Sequence, residues 1–258
     1  MPRFSANIST LFGEHDPLDR VAAAADCGFT AFEIQFPYDV PIESWVRAKN
    51  RAGIAVSVIN LPVGDLMDGG PGLAAVPGRE GQFRAAVAEA HLYAEALDPH
   101  CVNLLAGIAP EKLDIDECRA TLHQNALYAA EAFAPLGVRV VVEPINTRDR
   151  PGFLISTCAQ ALSLIQSVDH PALGLQCDLY HMHTMGEALV ETLARLMPHI
   201  EHIQFADSPG RHEPGTGEID FSNVFSSIDE LAYPGWVAAE YLPTRETKET
   251  LQWLQETA

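Results

Sequence analysis

Three carboxylates in this sequence close apolar, β-rich runs: Glu143 in GVRVVVEPIN, Asp178 in LGLQCD and Glu240 in GWVAAEYLP. A run such as Val138, Val140, Val141 and Val142 suits a strand covered on both faces, so a charge at its end needs a partner. Comparable runs reach Asn7, Glu33, Asn60, Asn103, and Gln204 with Asp207. Acids gathered in a low-dielectric site cannot all stay ionised without compensating charge. Oxygen donors with little sulfur or imidazole favour a divalent ion such as Mg2+ or Mn2+. The plainer reading of any one acid is a helix cap or an arginine partner, and nothing further singles out Glu33.

The cationic and imidazole groups divide in the same way. DLYHMHTMGE sets His181 three residues and His183 five residues beyond Asp178, which makes His181 the better candidate for substrate contact, against a structural or exposed role. This is not a zinc spacing of the H-E-x-x-H kind. Arg211, in DSPGRHEPGTGEID, and Arg79, in the glycine- and proline-rich LPVGDLMDGGPGLAAVPGRE, are candidates for binding a substrate carboxylate or hydroxyl. Neither G-x-x-x-x-G-K-[ST] nor G-x-G-x-x-G is present, so a nucleotide site is not indicated.

Positioning these groups together requires a particular architecture. GFTAFEIQFP, GIAVSVINLP, GVRVVVEPIN and GWVAAEYLP share one grammar of glycine, apolar run and polar residue, and RFSAN, CVNLLA, LGLQCD and HIQFAD add four more strand signals. Helical patterns alternate with them. The first is capped by Asp16, with Pro17 leading and Gly28 ending it; the second lies between Pro41 and Gly53. Others run over 80–97, 116–136, 156–168, 186–196, 220–231 and 246–254. Eight strands alternating with helices predict an α/β fold, a (β/α)8 TIM barrel occupying residues 1–258 as one domain, in which all strand C-termini meet at one face. The 61–80 segment is too long for a simple connection and is expected to cover that face.

Bulk properties narrow the function. Sixteen Lys and Arg against 35 Asp and Glu give a formal net charge of -19, which opposes a nucleic-acid partner. No run is long and apolar enough for a membrane span or signal peptide, and five scattered cysteines suggest buried thiols rather than disulfides, so a cytoplasmic protein is expected. The composition is compatible with a homo-oligomer as the macromolecular partner.

RFSANISTLFGE, FPYD, INLPVGD, PGRE, VVEPIN, DLYHMH, HIQFAD, EPGTGEI and GWVAAEY, in this order, resemble the hydroxypyruvate isomerase family within the xylose isomerase-like TIM barrels; EPGTGEI is the most specific part. The resemblance implies that Glu143 and Glu240 are an acid/base pair. It also implies a divalent metal held by Glu143, Asp178, Gln204 and Glu240, with His181 and Arg211 used on substrate. Sugar-active relatives commonly have histidine at the Gln204 position, and an amide binds metal more weakly than imidazole. The implied reaction interconverts hydroxypyruvate and tartronate semialdehyde (2-hydroxy-3-oxopropanoate), a small hydroxy/oxo acid pair. The alternatives are a 2-oxo-tetronate isomerase, a ketose 3-epimerase of the same fold, or a non-catalytic metal or sugar-acid binding protein.

Overall fold

The computed structural model describes residues 2–256. Its centre is a closed barrel of eight parallel strands, each hydrogen-bonded to the next and the last to the first. They are β1 (Arg3–Asn7), β2 (Ala31–Ile34), β3 (Ala55–Asn60), β4 (Pro99–Leu104), β5 (Arg139–Val142), β6 (Leu173–Asp178), β7 (Ile200–Phe205) and β8 (Trp236–Ala239). All eight predicted strand signals therefore form the wall. The outer helices are α1 (Asp19–Asp26), α2 (Ile42–Ala52), α3 (Glu80–Leu97), α4 (Ile115–Phe133), α5 (Cys158–Val168), α6 (Leu179–Thr184), α7 (Leu189–Leu196), α8 (Phe221–Glu230) and α9 (Gln252–Glu256).

Local chemistry explains most of the helix boundaries. Gly53, at φ +69°, ends α2, because a left-handed residue closes a helix without Cβ strain. Thr157 and Gln160 form a capping box, so α5 starts at Cys158 instead of Ser156. The first helix begins later than Asp16 predicts: the Asp16 carbonyl accepts from the amides of Asp19 and Arg20 in a preceding turn. The short α6 was not anticipated, since six residues carry too little periodicity to read. Its N-cap is Asp178, whose Oδ1 accepts from the Tyr180 amide at 2.8 Å.

Inside the barrel the strand alternation turns an apolar layer into a polar one. Val58, Cys101 and Val141 form a small buried cluster on β3, β4 and β5. Two residues further along the same strand directions stand Asn60, Asn103 and Glu143, on the same face by the period of two. Registers Asn7↔Glu33 and Asp178↔Gln204 put the other polar strand ends at matching heights. At the β7–β8–β1 seam, Phe4, Phe205, Phe225 and Trp253 pack edge to face, with Phe205 and Trp253 centroids 5.0 Å apart. The five cysteines are free, four of them buried. No helix among the described residues is long and apolar enough to cross a membrane.

Candidate active site

At the C-terminal face of the barrel lies a cavity of about 120 Å3 whose lining includes Gln35, Glu143, Asp149, Arg150, His181, Arg211 and Glu240. Glu143 and Glu240 follow directly on β5 and β8, three strands apart around the ring, and both are buried. Leu66 and Met67 of the long loop after β3 form part of the apolar wall, together with Leu105, Ile145 and Phe153. The 61–80 segment therefore covers the face, as its length predicts.

Each carboxylate is held by a named donor. Asn103 Nδ2 donates to Glu143 Oε2 at 2.7 Å, and Gln35 Nε2 donates to Glu240 Oε1 at 2.6 Å. Arg211 Nη2 lies 3.2 Å from Glu240 and 3.5 Å from Asp178, bridging the two. Burial, reinforced by Asp178, pushes the Glu143 carboxyl up to about 8. Burial also raises Glu240 well above the usual carboxylate range; the Arg211 charge opposes that and the Glu143 charge adds to it. Burial alone would lower the Arg211 guanidinium, but Glu240, Asp178 and Glu143 keep it firmly charged.

His181 sits on α6 with Nε2 3.5 Å from Asp178 and 3.8 Å from Glu143. Its other nitrogen faces Asn146. The Asn146 oxygen accepts from the amides of Arg148 and Asp149, so its NH2 group is the one that points to His181 Nδ1, at 2.7 Å. Nδ1 therefore accepts, and the ring proton belongs on Nε2. Burial lowers the imidazole to about 4, so it is neutral at ordinary pH and presents an N–H donor to the acids. The second Asn146 hydrogen goes to Asp149 at 2.9 Å, which also accepts from the Tyr180 hydroxyl.

The Arg211 loop is organised from within by Asp207, whose carboxylate accepts from the amides of Ser208, Gly215, Gly217 and Ile219. A Cβ on Gly217 would lie 2.6 Å from Asp207 Oδ1, so the EPGTGEI segment needs glycine there. The Arg211 backbone is pinned at both ends, its N–H to the Asp207 carbonyl and its carbonyl to the Leu242 N–H. Arg211 itself stands at φ +57°, a left-handed conformation.

Over residues 21–257 the sequence matches the family described as xylose isomerase-like TIM barrel. The chain belongs to that family. Among relatives of this xylose isomerase-like barrel, the hydroxypyruvate isomerase of Escherichia coli (strain K12) is 42% identical over 254 residues, 98% of each chain. The 2-oxo-tetronate isomerase of Cupriavidus necator is 39% identical over 255 residues, 99% of this chain and 98% of its own. The crystal structure of an AP endonuclease, family 2, from Brucella melitensis covers 99% of both chains at 39% identity with a TM-score of 0.96. The chain is an enzyme of the isomerase class.

Of the residues expected at this xylose isomerase-like site, Glu143, Asp178, His181, Arg211 and Glu240 come together. Arg79 does not join them. Its Nη1 bonds both oxygens of Asp65 at 2.9 Å and the Gly72 carbonyl at 3.0 Å, so it ties the long loop to itself. Gln204 and Glu33 lie in a buried network: Gln204 Nε2 and Asn7 Nδ2 donate to Glu33 Oε1, His202 Nε2 contacts Glu33 Oε2, and Gln176 Nε2 donates to Gln204 Oε1 at 2.6 Å. Sequence reasoning does not single out Gln35, Asn146, Asp149 or Arg150 as site residues. Gln35 could have been found, since it shares the Glu33 face by alternation; Asn146 and Asp149 carry the Asx-turn spacing.

Glu143, Asp178 and His181 offer ligand atoms all within 4.8 Å of one another, a cluster able to hold a metal ion. Glu143, Asp178 and Glu240 are buried together and Arg211 pairs with only Asp178 and Glu240, so full ionisation of the three leaves negative charge that fits a divalent ion. The carboxylates suit it better than His181, whose Nε2 carries the proton. Gln204 borders a smaller cavity with Glu143 and Glu240 but fits least, as a neutral amide whose oxygen already accepts one bond from Gln176.

Proposed function

We propose that this enzyme interconverts hydroxypyruvate and tartronate semialdehyde through an enediolate. The observation that carries the reading is the pair Glu143 and Glu240, two buried carboxyls with raised pKa on one small cavity. A site of about 120 Å3 is far below the roughly 300–1,000 Å3 of pockets for drug-sized ligands and suits a three-carbon acid. The relatives named as hydroxypyruvate isomerase and 2-oxo-tetronate isomerase support the same class of substrate.

In the forward direction one glutamate, as carboxylate, takes a proton from C3 of hydroxypyruvate. The electron pair forms the C2–C3 double bond and negative charge moves to the C2 oxygen. The other glutamate, as carboxyl, delivers a proton to C2 while the C3 hydroxyl proton passes to the C2 oxygen, leaving an aldehyde at C3. The two exchange roles in reverse, and carboxyl groups raised above their ordinary range suit both tasks. The His181 Nε2–H and the Arg211 charge stabilise the enediolate oxygens. Glu143, Asp178 and Glu240 would hold a divalent ion, Mg2+ or Mn2+, which when bound supplies Lewis-acid polarisation of substrate oxygens. Gln204 on this reading supports the site from beneath, through Glu33 and Gln176.

A 2-oxo-tetronate is the second reading, favoured by the half-exposed Met67 at the cavity wall, where one more carbon can be accommodated. An endonuclease reading, taken from the Brucella relative, meets a formal net charge of -19 that opposes a phosphate backbone. We place the enzyme in the cytoplasm, where its five free thiols stay reduced.

The test is turnover of hydroxypyruvate, a 2-oxo-tetronate and a free ketohexose, each before and after chelator treatment. Turnover of hydroxypyruvate, lost on chelation and restored by Mg2+ or Mn2+, is expected. Turnover of the ketohexose with none of either acid would overturn the reading.

A further inference from the structure

A substrate of this class carries a carboxylate at C1 in addition to the atoms that react, and that charge needs a cation inside the cavity. The charged candidates can be sorted by what already occupies them. Arg79 spends its guanidinium on Asp65 and Gly72 in the long loop and does not line the cavity. Arg211 lines it, but its Nη2 is shared between Asp178 and Glu240, so a third carboxylate beside it would face two like charges at close range. His181 has Asn146 on its Nδ1 and turns Nε2 to Asp178 and Glu143, so neither nitrogen is left for the substrate carboxylate.

Arg150 is left. It lines the same cavity, it is half-buried, and among the described residues its guanidinium makes no hydrogen bond or ion pair. Its neighbour Asp149 is turned to Asn146 and the Tyr180 hydroxyl and does not neutralise it. The backbone around Arg150 is fixed: its N–H donates to the Asn146 carbonyl and its own carbonyl accepts from the Phe153 amide. The side chain thus hangs from an anchored turn on the rim, with Glu143 and Glu240 on the other lining elements of the cavity.

We infer that Arg150 is the anchor for the substrate carboxylate and the residue by which this site selects hydroxy/oxo acids over neutral sugars. The inference rests on the isomerase reading above and deepens it. A guanidinium donates two parallel N–H bonds to a carboxylate, which fixes the C1 end and leaves C2 and C3 between the two glutamates. Arg211 then serves the reacting oxygens and Arg150 the spectator charge.

The experiment compares the wild-type enzyme with Arg150→Gln and Arg150→Lys on hydroxypyruvate and on dihydroxyacetone, its neutral analogue with CH2OH in place of the carboxylate. Loss of a charge-assisted hydrogen bond corresponds to about a 10- to 100-fold rise in KM for hydroxypyruvate in Arg150→Gln. kcat is expected to stay within about threefold and dihydroxyacetone turnover to stay unchanged, with Arg150→Lys recovering part of the affinity. Among the described residues the Arg150 side chain has no hydrogen-bond or ion-pair partner to lose, so both variants are expected to fold, checked by an unchanged melting transition. Equal losses on both substrates, or no loss on either, would overturn the assignment while leaving the isomerase reading intact. Failure of the wild-type enzyme on every 2-oxo-3-hydroxy acid would overturn both.

Discussion

Asn146 Nδ2 lies 2.7 Å from His181 Nδ1, and this contact sets the tautomer of the imidazole that faces Glu143 and Asp178. The amide can present only its NH2 group, because its oxygen is taken by two backbone amides. In Asn146→Ala the ring loses that orientation, and isomerase kcat is expected to fall roughly tenfold to a hundredfold. In Asn146→Asp the new carboxylate accepts a proton from Nδ1, so Nε2 loses its donor role or the ring becomes charged. Ring 15N chemical shifts check this directly: the wild-type protein should show a neutral Nε2–H tautomer at pH 7, and Asn146→Asp the other tautomer or imidazolium. An unchanged shift pattern would refute the role given to Asn146.

Glu143→Gln and Glu240→Gln test the proton transfers themselves. Each replacement keeps the shape and removes the titrating group, and a positioned general acid or base contributes about 10^2- to 10^4-fold. Each is expected to lower kcat by that order. The double variant should be little worse than the poorer single one, since residues acting as a unit are not additive. Solvent deuterium incorporation at C2 or C3, followed by NMR, separates the half-reactions. Retention of full activity by either single variant would sink the pairing.

The barrel was legible because four strands are apolar runs bracketed by glycine and a polar end, as in GVRVVVEPIN and GWVAAEYLP, and four further apolar runs alternate with helical patterns between them. The ring of acids was legible for the same reason: a closed parallel barrel brings strand ends together whatever the loops do. The partners of those acids were less so. Arg79 and Arg211 look alike in the sequence, as arginines in glycine-rich loops, and only the fold shows Asp65 closing on one and Asp178 with Glu240 on the other. Glu33 and Glu143 both end strands, yet Glu33 meets Asn7, His202 and Gln204 in a buried network beside the cavity lining, because side-chain reach across the barrel is a long-range property.

The raised Glu143 carboxyl makes a sign-specific prediction for the chelated protein. In the folded state it keeps its proton up to about pH 8, whereas the unfolded chain releases it near 4.5. The folded state therefore binds more protons over that window, and its stability falls as pH rises through it. His181 works oppositely: lowered to about 4, it favours the folded state as pH rises toward 6.5 and adds nothing further above that. Between pH 6.5 and 8.5, Glu143→Gln should therefore gain on wild type by on the order of 2 kcal/mol. Urea unfolding in the presence of chelator measures the difference. A gap that stays flat with pH would show that Glu143 titrates at its ordinary value.

Asp207 offers a last prediction, because it separates loop architecture from chemistry. Its carboxylate accepts from four backbone amides, at 2.8 Å from Ser208, Gly215 and Gly217 and 3.1 Å from Ile219, and it is fully buried. Asp207→Ala leaves those donors unsatisfied, which costs about 3 kcal/mol. The same change frees the turn that holds the Arg211 backbone, so the guanidinium bridging Asp178 and Glu240 loses its setting. Activity is thus expected to drop well before the barrel unfolds, with a lower first transition in hydrogen exchange confined to residues 207–219 while β1–β6 keep their protection. A uniform loss of protection across all eight strands would instead make Asp207 a determinant of the whole fold. Asp207→Asn keeps one acceptor oxygen and should fall between the two, binding some of the four amides and retaining part of the activity.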